Sequence, residues 1–296
     1  MSNLHRGTGL LVIEVQNSNP NGDPDAESEP RTLDGDGRGL ISPVSFKRKI
    51  RDLVADESGP AFAIASDVLK LKSSGNNFEI LESRGRSLKD IATLDEQSFK
   101  KKYWDARVFG NTTLESMQAA KVKGDAKDHF IQTGVVQFGP GISISPIDVI
   151  RLTMTNKAGV EGDKDRGMAP LAWRAVRHAV YTMPFFVNPT AAGKSGCDVT
   201  DINLLKFLIP HAYRNTASVA RPFVEIRHAW YAEHKGALGS CPDSLILEGL
   251  TPRKKDPATK DQASTSISEY DIPTTLTDAV RARLGTFDDL CAKNWA

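Results

Sequence analysis

Several sets of residues in this chain have the types and spacing to do chemistry. Asn17, Asn19 and Asn21 fall at alternate positions with Gly22 sixth, the spacing of the first half of a calcium loop. Calcium needs early carboxylates and a bidentate Glu at position twelve. Here the early positions are neutral amides and the twelfth is Ser28. Beside Pro20 and Pro24, those amides read instead as Asx turns that shape a loop. The AAGKS run ending at Ser195 has the tail of a phosphate loop, but Asn188 stands where the first glycine belongs. His228 and His234 have no Gly-x-Ser-x-Gly elbow to serve. Asp23, Asp25, Asp34 and Asp36 crowd one polar loop, and solvation is the ordinary fate of such acids. RNA cleavage is the one reaction they are placed to assist.

The basic run SFKRKIRD, residues 45–52, carries the stronger signal. Ser42 caps a helix, Pro43 suits its first position, and Phe46, Ile50, Leu53 and Val54 form an apolar stripe. Lys47 and Arg51, four apart, share a face turned away from that stripe. Arg48 is spaced to pair with Asp52. A solvated basic face is the plain reading of such a run. However, the helix entry points free backbone N–H groups the same way, and donors plus two fixed cations make a phosphate site. Further basic residues follow at Lys100–Lys102, Arg107, Lys164, Arg166, Arg174, Arg177, Arg214 and Arg221. Aromatics are 7% of the chain, too few for stacking to be the main grip, so the pattern suits a binder that tracks phosphates.

The elements that must position these residues can be read from hydropathy. The chain has 296 residues and a net charge of +1, which argues against a protein that coats nucleic acid indiscriminately. Three cysteines, far apart, make neither a disulfide framework nor a metal clamp. No apolar run is long enough to span a membrane and the N-terminus is no signal peptide, so a cytoplasmic protein is expected. GLLVIEVQ predicts a strand over 9–16, followed by a polar loop over 17–41 and the basic helix over 42–56. Helices are expected at 60–72, at 104–110 and around Leu204, Leu205 and Leu208. The stretch 133–150 reads as two strands about a Gly-Pro-Gly break, and 220–234 as a long strand. APLAWRAVRHAVYTMPFF, residues 169–186, reads as a helix. Residues 251–275 read as a mobile loop, and the last twenty as a short helix at most. The whole suggests an α+β sheet core of ferredoxin-like type with added lobes.

The order V-x-N-x-NPNGDPD…PR…G…S-x-V-x-x-KRKIRD, then D-x-R-x-FG, then G-x-VQF…S…PI, resembles the Cas-seven backbone subunits of type I CRISPR Cascade in their I-C and I-B forms. Downstream, RG…PLAWRAVRHAVYTMPFFVNP and SVARPFVEIRHAWYAEH are similar to later parts of that family. The chain departs from it at Thr133–Gln137, where GPVQ is common, and at DRGMAPLAW, where GRK-x-x-VPY is common. The resemblance implies an RRM/ferredoxin-like palm with inserted helical fingers and a thumb-like extension. The palm would begin with 1–56, the fingers occupy 57–130, and the palm resume over 131–250 with the thumb inserted. A mobile loop and C-terminal segment would fill 251–296. The thumb would lie in 188–200 or 235–275.

The resemblance also implies a function. Copies stack along a guide crRNA and present it for pairing with target DNA, without catalysis, metal or cofactor. Partners would be the crRNA, target DNA, further copies, the large subunit and the subunit capping the 5′ handle. The implied RNA-binding set is Asn17, Asn19, Asn21, Arg31, Ser42, Lys47, Arg51, Arg107, Gln137 and Arg166. Glu27, Glu29 and Asp34 are expected to meet a neighbouring copy's basic patch. Two alternatives differ in class: a type III-like RNA endonuclease using Asp23, Asp25 or Asp34, and a stand-alone RRM-like RNA-binding protein.

Overall fold

The structure is a computed structural model describing residues 4–73, 75–83, 91, 93–111, 133–156 and 169–295. In chain order, the first strands are β1 (Gly7–Ser18), β2 (Gly22–Asp23), β3 (Glu29–Pro30) and β4 (Arg38–Ile41), followed by helix α1 (Pro43–Ala55). Helices α2 (Pro60–Val68), α3 (Glu96–Lys102) and α4 (Trp104–Phe109) come next. Strands β5 (Val136–Phe138), β6 (Gly141–Pro146), β7 (Val149–Asn156) and β8 (Ala169–Val187) lead to α5 (Ala192–Ser195) and α6 (Val199–Leu208). Strand β9 (Phe223–His234), helix α7 (Asp243–Leu250), β10 (Arg253–Lys254), β11 (Tyr270–Asp271), α8 (Asp278–Arg281) and β12 (Leu284–Asp289) complete the fold.

The main sheet runs β12-β9-β1-β8-β6-β4, with β5 and β7 also paired to β8. Every pairing is antiparallel. Taking β1, β6, β8 and β9 as first to fourth, their spatial order is 4-1-3-2. Helix α1 lies between the first and second, and α6 between the third and fourth. That is the ferredoxin-like arrangement the sequence pattern suggests.

Alternation in β1 divides the core. Leu11, Ile13 and Val15 face Phe46, Ile50, Leu53 and Val54 of α1 and Leu204, Leu205 and Leu208 of α6. Leu10 and Val12 face the other way, against Ile246 and Leu250 of α7, Tyr270 and Leu276. Each such aliphatic side chain taken from water contributes about 1.5–3 kcal/mol.

Residues 169–186, expected as a helix, form the greater part of β8. Ala, Arg and Met give the segment helix propensity, and layers on both faces bury His178, Ala179, Val180 and Tyr181 in succession, which erases the period-two signal there. Pairing with β1 from Gly7↔Val187 to Ser18↔Val176 overrides propensity. Beyond Val176, β8 continues past the end of β1, paired with β7 as far as Asn156↔Ala169. A two-stranded ribbon therefore projects from the sheet.

Residues 251–275, expected to be mobile, are tied down. Lys254 Nζ donates to Glu269 Oε2, Ser145 Oγ and Tyr270 Oη lie 2.8 Å apart, and buried Ser264 meets His178 Nδ1 at 2.7 Å. Part of the segment's polarity serves buried polar groups of the sheet, while its remaining charged residues, such as Lys255, Asp256, Lys260 and Asp261, are exposed. Near the C-terminus the expected helix is a single turn, α8, and β12 adds an edge strand to β9. Neither expected thumb stretch projects as an arm. Residues 188–200 fold into α5 and the start of α6, and 235–275 carry α7, β10 and β11 across the sheet.

Candidate nucleic-acid interface

The loop leaving β1 is built by its own amides. Asn17 is exposed at φ 45°, the left-handed region Asn tolerates, and turns the chain out of the strand. Asn19 Nδ2 donates to Ser28 O at 2.7 Å and Arg174 O at 3.2 Å. Asn21 Oδ1 accepts from Ser42 N at 2.7 Å, pinning the loop to the helix entry. Arg31 pairs with Asp23 at 3.3 Å. Glu27 and Glu29 do not wait for another copy: Arg174 of the same chain holds both, at 3.4 and 2.9 Å. Asp36 is taken by Arg38 at 2.6 Å. Asp25 and Asp34 are exposed. Among the described residues no group of three His, Cys, Asp or Glu side chains is placed to hold a metal ion.

Helix α1 forms as expected, with Ser42 Oγ accepting from Ser45 N at 3.2 Å and Arg48 pairing with Asp52 at 2.8 Å. Its entry offers fewer donors than expected. Pro43 has no N–H, Ser45 N is capped by Ser42, and Phe46 N bonds Ser42 O, leaving Val44.

The two cations of the expected stripe have different fates. Lys47 makes no ion pair among the described residues; its ammonium sits 5.3 Å from the centre of the Phe109 ring. Burial lowers its pKa, and the charge of Arg51 adds to that. Arg51 is 11% exposed and bound to Asp105 Oδ2 at 2.8 Å. The same carboxylate accepts from Leu81 N at 2.7 Å and Glu82 N at 3.1 Å. Arg51 therefore fastens α1 to α4, and the picture of two open cations is corrected to one.

Arg107 is a larger correction. It is 1% exposed, and all five of its N–H groups are spoken for. Nε and Nη2 take Asp201 at 2.9 and 2.8 Å, Nη1 takes the carbonyls of Lys100 and Lys101, and Nη2 that of Asn77. Burial raises the pKa of Asp201, and Arg107 opposes that rise. No donor is left for a phosphate.

Gln137 is exposed on β5 and donates to Gly134 O at 3.4 Å. Arg166 and Lys164 lie outside the described residues. Although far apart in sequence, three of the quoted motifs meet around Phe109. Lys47 lies over its ring, Phe138 is 6.3 Å away, and Gly134 lies so close that a Cβ there would sit 2.2 Å from Phe109 C. Only glycine permits that approach.

One further cation, Lys49, escaped the sequence reading, and it lies near Arg221, which the basic track already included. Lys49, on the inner side of α1, is 8% exposed, with its ammonium 5.2 Å from the Tyr213 ring centre. Burial first, then the charge of Arg221, lowers its pKa to about 8. Arg221 Nε donates to Asn19 O at 3.0 Å, which brings this pair to the foot of the polar loop. The KRK triplet was the available signal, but the apolar stripe alone does not reveal that its third member turns inward.

The family model for CRISPR-associated protein Cas7 matches residues 5–275. A curated relative, CRISPR-associated protein Cas7 of Haloferax volcanii, is 24% identical over 238 residues, 73% of this chain and 66% of that protein. The chain thus spans just under two thirds of that relative's length. Among solved structures, a CRISPR RNA-guided surveillance complex, pre-nicking, aligns with TM-score 0.45 and 16% identity over 77% of this chain and 78% of that one. A second CRISPR RNA-guided surveillance complex gives 0.37 and 17% over 75% and 68%. The type III-B Cmr-beta complex bound to cognate target RNA gives 0.40 and 9% over 77% and 61%. With the Cas7 model spanning nearly its whole length, the chain belongs to the Cas7 family.

Proposed function

We propose that this protein is a guide-binding backbone subunit of a CRISPR surveillance complex, holding crRNA for pairing with target DNA alongside further copies of itself and other Cascade subunits. The observation that carries the reading at the level of residues is Lys47, a cation without a carboxylate partner among the described residues, held over Phe109 where three distant motifs converge. A fixed cation beside exposed Gln137 suits a phosphodiester chain, which is gripped by charge and position, not by base identity. Of the implied binding set, Lys47 and Gln137 stand as contacts, and Asn17 as an exposed residue at the far end of β1. Asn19, Asn21, Arg31, Ser42 and Arg51 shape and fasten that surface. The ribbon of β7 and β8 is the thumb-like extension, since it is the paired arm that outruns the sheet.

The subunit works in the cytoplasm and does not cut RNA. Among the described residues no helix is long and apolar enough to cross a membrane. Asp23, the loop acid nearest the strand, is engaged by Arg31. The experiment is recovery of guide RNA with the purified protein. Lys47→Ala should lower the RNA carried per folded protein several-fold, and in salt titrations it should reduce the slope of log affinity against log salt by about 0.7. Full RNA recovery with an unchanged slope would remove Lys47 from the interface.

A further inference from the structure

His234 serves no catalytic elbow, yet the fold buries it completely where the end of β9 meets β1, α7 and β12. The backbone N–H of Ser240 donates to its Nδ1 at 3.0 Å. A backbone amide can only donate, so Nδ1 is bare and the ring hydrogen sits on Nε2. From Nε2 it reaches Thr8 Oγ1 at 3.1 Å, and the buried Thr8 hydroxyl donates in turn to Asp243 Oδ1. Arg6 closes the relay on Asp243 Oδ2. One tautomer satisfies every member, and it is the neutral one.

A second proton breaks this arrangement at one place. A hydrogen on Nδ1 would face the Ser240 N–H, donor against donor. The nearest other acceptor is Ser240 Oγ, 3.5 Å away, which already accepts from Lys235 N and donates to Arg283 O. Serving the imidazolium therefore means moving the residue that ties the turn to β12. The charged groups around the ring come from each element packed there. Asp243 of α7 favours the imidazolium, and Arg6, ahead of β1, opposes it. Arg283, ahead of β12, bonds Ser240 O, while Glu233 and Lys235 flank His234 on its own strand, Glu233 beside His5. Burial is the largest influence and lowers the pKa of the ring from its ordinary 6.5. The stability this corner gives is complete above pH 6.5 and is lost as pH falls through the folded value.

We propose that His234 is a proton-operated latch, which in its neutral form holds the turn 235–242 and the start of α7 on the sheet and on protonation lets Ser240 and that turn go. Because α7 covers Leu10 and Val12, the latch governs how firmly the second face of the sheet is sealed. It does not rest on the guide-binding reading.

The test is hydrogen exchange of the full chain from about pH 8 to about pH 5, each rate divided by the intrinsic rate at that pH. Burial opposes ionisation of Asp243, but hydrogen bonds from Arg6 and Thr8 outweigh it and hold its pKa below 3.8, so it stays charged throughout. In the parent, protection of residues 235–245 should be constant above pH 6.5 and fall by up to about tenfold per pH unit below it, as one-proton linkage requires, while β1 and β8 keep theirs. His234→Asn supplies an acceptor for Ser240 N–H that does not titrate, and its protection should stay flat. Nitrogen-15 spectra of histidine in the parent, which need no variant to fold, should show one ring as the Nε2–H tautomer at neutral pH, titrating below 6.5 together with the Ser240 amide. Unchanged protection in the parent down to pH 5, an equal fall in His234→Asn, a fall shared by the whole sheet, or no such ring would each overturn the proposal. Lys47→Ala should keep the parent's profile, so the latch and the guide contact fail or stand separately.

Discussion

Arg107 lies within the D-x-R-x-FG motif, and its replacement separates a structural role from an RNA contact. In Arg107→Met, Asp201 keeps a carboxylate that is fully buried and loses both guanidinium donors, at 2.9 and 2.8 Å. Its remaining side-chain hydrogen bond comes from Asp198 N at 3.2 Å. Breaking a buried pair by removing one partner costs about 3–5 kcal/mol. At about 2–4 °C per kcal/mol for a large domain, the thermal midpoint should drop by roughly 6–20 °C. The carbonyls of Asn77, Lys100 and Lys101 lose donors as well, which places the loss toward the upper half of that range. The double change Arg107→Met/Asp201→Leu should recover part of the midpoint, because no charge is then left stranded. The assay is thermal unfolding paired with guide RNA measured per folded molecule below the transition. RNA content should stay at the parent level in both variants. An unchanged midpoint with lost RNA would refute the reasoning, since Arg107 would then face nucleic acid.

Arg51→Ala should cost about 3 kcal/mol by exposing Asp105 without its partner, with RNA per folded molecule unchanged; denaturant unfolding and RNA recovery read the two effects apart. Lys49 has a folded pKa of about 8, below its ordinary 10.5, so between those values the unfolded chain holds the extra proton and stability should rise with pH. The difference between the parent and Lys49→Met, followed by denaturation from pH 7 to 10, should show that rise, and a flat difference would mean that Lys49 is solvated. For Glu269, burial opposes ionisation but is outweighed by hydrogen bonds from Lys254 and Thr265, so its pKa falls from 4.5 to about 2. The stabilisation it gives residues 251–275 is present above about pH 4.5 and is lost as pH drops toward 2. Hydrogen exchange across that segment should quicken over this window in the parent and not in Glu269→Gln.

Local signals carried well into the structure. Ser42, Pro43 and the stripe from Phe46 to Val54 announce α1 almost to the residue, because a cap and an amphipathic face are properties of neighbours in sequence. Strand β8 was illegible for the opposite reason. Its identity comes from partners on both edges and layers on both faces, none of which is written within residues 169–186. The same holds at the site. Arg107 looks like any basic residue until Asp201, ninety-four positions on, is folded against it. The pairing of Arg51 with Asp105, fifty-four positions away, was hidden likewise, so counting cations along a helix overstated how many were available. Among the described residues Lys47 meets an aromatic ring and no carboxylate, which leaves its charge uncancelled there.

The central sheet is roofed on its second side by α7, Tyr270 and Leu276, which bury Leu10, Val12, Val180 and Trp230. In single RRM modules that side is the reading desk, where aromatic rings stack on unpaired letters. Sealing it leaves the central strands blind to the alphabet. In the guide-binding role proposed above, such a scaffold would hold any guide sequence without a single substitution of its own.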